Sequence, residues 1–366
     1  MGFDLGPNEE QTALQQTLHS FANDVLRPAG RAAESARQTG EDITREIHGI
    51  GVSAPVPEEY GGGGTFDAVT YCIAAEELAW GNPGIAWSVL GSGLAAIVIG
   101  IAGTDDQRQR YLPRFAASDP APSFVAIGEK VAAGDLDSLE TSVSDGEVTG
   151  EKYGVLNADQ APFGVVVGRG HNGPGACIVE GGSYDVLAPE DKMGLEAAPT
   201  SIVRFDGPCH ELPTGPDLER AVLWTKLATG AVALGCARAS FEYSSAYATE
   251  REAFGKPIGA FQAVSFKVAD MAIAVEAART ALWRAAWRLE HAEATAAEIA
   301  EATGQALTAA IRCGDDGVQV LGGHGYIQDH PVEMWFRDAV TLSVFDAPDL
   351  LGDLTVARSI VAHAGH

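Results

Sequence analysis

Arg251, a Phe254-Gly255 turn, a Lys256-Pro257 pair and Gln262 interrupt a long alanine-rich segment that otherwise reads as helix. An arginine where a helix breaks can offer a diphosphate a fork of charged donors. Farther along, Gly322 and Gly323 stand side by side, and paired glycines let backbone N–H groups approach such an anion closely. The plainer alternative pairs Arg251 with an acidic neighbour and makes the glycines an ordinary loop. His324, next to them, could touch a nucleotide, although a histidine at a bundle turn is more often a hydrogen-bonded surface residue. Glu76 and Glu77 look like a paired-carboxylate site. Adjacent residues on a helix point apart, however, and these two are expected to be structural.

Three regions must position these groups. Residues 1–120 read as helical: Leu14, Leu18, Phe21, Val25 and Leu26 share one face of a helix over Glu9–Leu26, which Pro28 is expected to end. Val69–Trp80 and Asp105–Phe115 read as further helices, the second capped by Thr104, with a turn-rich loop over 56–64 ahead of both. In residues 121–213, short β-branched runs at 123–127, 148–155, 164–168, 176–179 and 201–205 are separated by Gly, Asp and Asn. Such spacing predicts a compact antiparallel β-domain, and no G-x-G-x-x-G follows a strand to suggest a Rossmann site. Residues 214–366 carry four long helical segments, 218–249, 261–292, 296–320 and 331–362, which together predict a four-helix bundle.

Composition narrows the function. A net charge of −26 argues against nucleic acid and against anionic membranes as partners. The five cysteines show no C-x-x-C and no metal-ligand spacing, and with no signal peptide they point to a reducing cytoplasm. The apolar run 85–102 is interrupted by glycine and serine and reads as a buried helix rather than a membrane span. The six tryptophans fit core and interface packing.

Taken together, these segments resemble the acyl-CoA dehydrogenase family over nearly the whole chain. PEEYGGGG at 57–64, AAEELA at 74–79, GTDDQRQRYLP at 103–113, REAFGKPI at 251–258 with Gln262, QVLGGHGYI at 319–327 and PVEMWFRDA at 331–339 occur in the family's order and spacing. The resemblance implies an α+β fold: an N-terminal α-helical domain, a middle antiparallel β-domain and a C-terminal four-helix bundle. It implies FAD as cofactor, an acyl-CoA thioester as substrate, an electron-transferring flavoprotein as electron acceptor, and a dimer or tetramer with a homologous subunit. In the family the FAD crosses a subunit interface, one chain cupping the flavin ring and its neighbour gripping the adenosine and diphosphate half. By motif match the gripping residues are Arg251, Phe254, Gln262, Gln319, Gly322 and Gly323.

The ring-cupping side departs from the family pattern. Where the family carries A-L-T-E-P and A-G-S-D, this chain has Ala126-Ile127-Gly128-Glu129-Lys130 and Ala133-Gly134-Asp135-Leu136. Where the family carries G-x-K-x-W-I-T-N, Gly154 stands for the tryptophan and Leu156 for the threonine, between Lys152 and Asn157. The catalytic glutamate of Y-E-G-T corresponds to Asp346, one methylene shorter and followed by Pro348 in place of threonine. Asp346 is either the base or a capping, solvated aspartate. Thr225 occupies the family's other base position, and Glu219 is the nearest acidic alternative. The expectation is therefore a subunit of a heteromeric enzyme, of the kind actinobacteria use on CoA esters of steroid side chains. It would lend its FAD-gripping half to a partner that carries the ring pocket and the base. The alternatives are a self-sufficient homomer using Asp346 and a non-catalytic scaffold of the same fold.

Overall fold

The computed structural model of the chain describes residues 6–65, 67–118, 120–130, 136–345 and 355–361. The N-terminal helices are α1 (Glu9–Phe21), α2 (Arg27–Ala36), α3 (Glu41–Ile50), α4 (Ala68–Gly81), α5 (Pro83–Ala102) and α6 (Asp105–Tyr111). Asn8 and Gln11 cap α1 reciprocally, and Thr104 does the same for α6 with Gln107. Pro28 does not end the first helix as the sequence suggested. A π-helical turn over Ala22–Leu26 joins α1 to α2, with the Arg27 N–H reaching back to the Ala22 carbonyl. Pro28 then falls in the first turn of α2, where its missing N–H needs no partner.

Apart from Glu76 and Glu77 on α4, helices α4 and α5 are mostly apolar on every side, and both are buried. The 20-residue α5 is long and apolar enough to span a membrane, but 83% of its most apolar window is packed inside the protein. It is a core helix.

The middle region holds β1 (Val125–Ala126), β2 (Ser142–Ser144), β3 (Glu147–Leu156), β4 (Phe163–Gly170), β5 (Gly173–Glu180), β6 (Tyr184–Pro189), β7 (Thr200–Pro208) and β8 (His210–Glu211). They form one sheet in the order β6-β7-β3-β2-β4-β5-β8, with β1 added beside β4. Pairing is antiparallel except where β1 and β2 each run parallel to β4. A bulge interrupts the β3–β7 ladder between Lys152 and Val155.

The C-terminal region is built from α7 (Pro216–Glu250), α8 (Gln262–Glu290), α9 (Ala296–Leu321) and α10 (Val332–Val344). The last helix is shorter than the 331–362 read from sequence, because its cap is Phe345 and residues 346–354 lie outside those described. Helix α7 is central, packing on α9, α8 and α10 and also on α4 and α5. The β6–β7 connection is pinned to α10, where Asp338 accepts the Leu195 N–H at 2.6 Å.

Glu76 and Glu77 do not point apart. Both are 1% exposed, and both bond to Arg238 of α7, which is 7% exposed itself. Arg279 of α8 adds a 2.8 Å bond to Glu76, and Gln15 and His19 of α1 each reach Glu77 at 2.9 Å. Burial alone would raise Glu77, but the bonds from Arg238, Gln15 and His19 outweigh it and hold the carboxyl below its usual range. Their expected role as structural residues holds, through a buried charge cluster joining four helices.

Arg238→Met should cost about 3–5 kcal/mol of unfolding free energy in a denaturant titration, because both carboxylates would remain buried without their shared counter-charge. A loss under about 1 kcal/mol would show that water or protons compensate them cheaply. Asp338 supplies a pH test of opposite sign to Glu77. Burial pushes its carboxyl up to about 7, against the pull of the Leu195 N–H and Arg337. Since the folded value lies above the ordinary carboxylate value of about 4, stability is highest below that pH and falls as pH rises toward 7. Denaturation midpoints measured across this window should lose that downward limb in Asp338→Asn.

Candidate functional site

Helices α7 and α9 run parallel. Thr303 donates to the Lys226 carbonyl near their starts, and the Tyr247 hydroxyl meets His324 Nδ1 at 3.1 Å near their ends. Helix α8 runs the other way, with Lys267 bonded to Asp316 and Arg312 to Asp270. The C-termini of α7 and α9 and the N-terminus of α8 therefore meet at one end of the bundle. All six FAD-gripping candidates lie there.

Arg251 caps α7 and opens a two-stranded hairpin, Glu252–Ala253 paired with Lys256–Pro257. Its tip is Phe254-Gly255, with φ of 53° and 79°. Two left-handed residues make the tight turn whose twist suits a hairpin, and glycine satisfies the second without strain. Phe254 does not, and its side chain is 97% exposed. A bulky aromatic held in a strained conformation and facing solvent marks the turn as a candidate contact point.

The Arg251 backbone closes the hairpin, donating to Tyr247 and accepting from Ile258 at 2.9 and 2.8 Å. Its exposed guanidinium has no hydrogen bond or ion pair among the described residues, so the plain pairing with an acidic neighbour is not what the structure holds. Gln262 is the exposed first residue of α8, and Gln319 is exposed on the last turn of α9. Gly322 turns the chain at φ 59°, and Gly323 faces open space. His324 and the nearby His330 are bonded to Tyr247 and Tyr243, as expected of hydrogen-bonded surface histidines. The chemistry offered is a free guanidinium, glycine backbone N–H groups, two side-chain amides and an aromatic face. That set suits a dinucleotide diphosphate, and among the described residues no cluster is placed to hold a metal ion.

Of the ring-cupping positions, Gly128, Glu129 and Gly154 line a separate crevice of about 340 Å³ between the β3 bulge and α10. Gly128, Tyr153, Gly154, Lys192, Val340 and Phe345 are among its walls. Several of its polar groups already have partners within the chain. Glu129 turns inward to bond the fully buried Lys152 at 2.7 Å and two backbone N–H groups. The Gly154 N–H, freed by the bulge, donates to Glu190 at 3.0 Å, and Lys192 donates to the Ala198 carbonyl. Thr341 bonds back to Arg337, Asn157 bonds to Ser88, and Leu156 is buried. Gly154 has φ 69°, and a Cβ there would stand 3.1 Å from the Phe345 ring, which itself contacts Trp87 edge-on.

Asp346 lies outside the described residues, as do Ala133, Gly134 and Asp135. Thr225 donates to its own helix at Val222, and Glu219 is exposed in the first turn of α7, so neither reaches the crevice. The Glu190–Met193 wall and the Trp87–Phe345 contact were not read from sequence, because no motif or spacing marks them.

Residues 218–364 match the family described as acyl-CoA dehydrogenase, C-terminal domain, and residues 8–119 match acyl-CoA dehydrogenase, N-terminal domain. A probable acyl-CoA dehydrogenase of Bacillus subtilis is 31% identical, covering 99% of this chain and all of the relative. The benzylmalonyl-CoA dehydrogenase of Aromatoleum aromaticum is 33% identical over 98% of this chain and all of its own length. Among solved structures, butyryl-CoA dehydrogenase from Megasphaera elsdenii superimposes with a TM-score of 0.88 at 25% identity, covering 98% of this chain and all of the other. Fold, motifs and full-length likeness agree: the chain belongs to the acyl-CoA dehydrogenase family.

Proposed function

We propose that this chain is the FAD-lending subunit of a heteromeric acyl-CoA dehydrogenase. One observation carries the reading: Arg251 stands exposed and without a partner among the described residues at the end of the bundle, while Glu129 and the Gly154 N–H of the chain's own ring crevice are internally bonded. The bundle end fits the diphosphate and adenosine half of FAD. Arg251 and the Gly322–Gly323 backbone would hold the diphosphate, Phe254 would cover an aromatic or apolar face, and Gln262 and Gln319 would add hydrogen bonds. The ring crevice fits the flavin poorly, with Gly128, Gly154 and Leu156 offering no side-chain donor.

When bound, FAD supplies the acceptor for the β-hydrogen and its electron pair. The substrate is an acyl-CoA thioester, whose α-proton is taken by a carboxylate of the homologous partner subunit. An electron-transferring flavoprotein would serve as the electron acceptor. A cytoplasmic setting is consistent with the five unpaired cysteines.

A self-sufficient homomer is the second reading, favoured by one feature: Phe345, the residue before Asp346, lines the crevice. Flavin content separates the two. Expressed alone, the chain should carry well under one FAD per chain by absorbance after denaturation, and co-expression with a homologous subunit should restore it. One FAD per chain in a homomer would favour the second reading, and no flavin with any partner would leave a scaffold.

Arg251→Ala should weaken FAD binding to the assembled enzyme by about ten- to a hundredfold, the size of a lost charge-assisted contact. Unchanged affinity, read by fluorescence titration, would assign Arg251 to packing. Asp346→Asn should keep most of the turnover of the heteromer. A loss beyond about a thousandfold in kcat at constant FAD content would move the base onto this chain.

A further inference from the structure

Helix α8 carries two seams on opposite sides. Met271, Val275, Leu282 and Leu289 face inward and are buried in the main core. On the outer side, Phe266, Asp270, Ile273, Ala277 and Thr280 recur at alternating spacings of four and three residues, and all are exposed. Phe266 is 64% exposed and Ile273 is 67% exposed. A surface helix ordinarily turns charged and polar residues to solvent, whereas this alternation is the pattern of a helix that packs on another. The chain has a net charge of −26, yet one charge interrupts this stretch. That charge, Asp270, is already bonded to Arg312 at 2.6 Å.

The outer seam complements itself. Lay a second copy of α8 against it, antiparallel about a two-fold through Ile273, and Ile273 meets its own counterpart. Phe266 then meets Thr280, Asp270 meets Ala277, and Ala263 meets Arg284 at the ends, each pair standing equally far from the dyad to within one residue. Away from the dyad the bulkier residue of each pair faces a smaller one, as knobs enter holes. Moving the two-fold to Asp270 would set two aspartates face to face, so the polar position also fixes the register. From Ala263 to Arg284 the seam runs about 32 Å, the scale of a whole domain face.

Beside it lies a place for the aromatic knob. A crevice of about 650 Å³ between α8 and α9 is walled by Ala274, Ala277, Ala300, Gly304 and Val356, among others. A Cβ added at Gly304 would meet open space. In the antiparallel arrangement, Phe266 of the second copy falls within a turn of Ala277, at the level of this crevice.

We propose that two copies of this chain associate through α8, antiparallel about a two-fold at Ile273, with Phe266 of each copy seated beside the α8–α9 crevice of the other. The inference goes beyond the FAD-lending reading and does not rest on it, because it concerns which faces pair and not which chain holds the flavin ring. FAD content tests that reading separately, so either can fail without the other.

The full-length chain should sediment as an even-numbered assembly over a concentration series. Ile273→Asp should weaken this self-association by about a hundredfold or more, since the two-fold sets both new charges side by side. Its circular dichroism should match the wild type, because Ile273 is exposed in the single chain. Oxidation with copper phenanthroline should crosslink Ile273→Cys to its own copy, and Phe266→Cys to Thr280→Cys in a mixture, with reduction reversing both. Thr280→Cys alone should stay uncrosslinked, its two copies being about 20 Å apart along the helices. Wild type oxidised in parallel controls for the native cysteines. A monomeric chain, an assembly that Ile273→Asp leaves intact, or a Thr280→Cys homodimer forming as readily as that of Ile273→Cys would overturn the proposal. So would Ile273→Cys crosslinking to a homologous subunit and not to itself.

Discussion

Two adjacent glutamates on an otherwise apolar helix set the terms for the rest of the molecule. Helix α4 has no polar face, so Glu76 and Glu77 enter a dry interior wherever it packs. Leaving either ionised and unpaired there would outweigh most of the stability of a domain. Arg238 answers both at once, and Arg279 and His19 complete the cluster. Those partners come from α7, α8 and α1, so satisfying two carboxylates fixes the N-terminal helices against the bundle. With α7 held at Arg238, its C-terminal end, where Arg251 breaks the helix, is fixed too.

The two halves of the candidate site follow opposite physical rules. At the bundle end, the Arg251 guanidinium, the Gln262 and Gln319 amides and the Phe254 ring are exposed, and water solvates the polar ones. At the β3 bulge, the Gly154 N–H, Glu129, Lys152 and Thr341 have internal partners. A ligand entering that crevice would have to break bonds to make bonds, and its gain would be small. Phe345 against Trp87 and Gly154 places apolar surface where the family's tryptophan would stand.

The legible parts of this fold were those where residue type alone forces geometry. Thr104, the Phe254-Gly255 turn and the β-branched runs of β3, β4, β5 and β7 announce themselves, because caps, left-handed turns and buried strands accept few residues. The motif order at 251–262 and 319–323 located the bundle end. Strands β2 and β6 did not show, since Ser142–Ser144 is too short to pattern and β6 is an edge strand with its side chains largely outward. The π turn before Pro28 was hidden because proline's usual meaning is a stop. Glu76 and Glu77 were misread in direction because their counter-ion lies some 160 positions away in the chain, and no local rule reaches that far.

Phe254 has a consequence for the chain before it finds a partner. The turn that carries it is shaped by its own ladder, so the backbone that presents the ring is set once the hairpin forms. Docking then needs little further ordering, which favours fast and selective pairing. The same preset tip is a bare aromatic on an isolated chain, visible to chaperones and proteases. If the chain works as the proposed subunit, an unassembled copy would carry a mark that pairing hides, and production of the two subunits would have to be balanced.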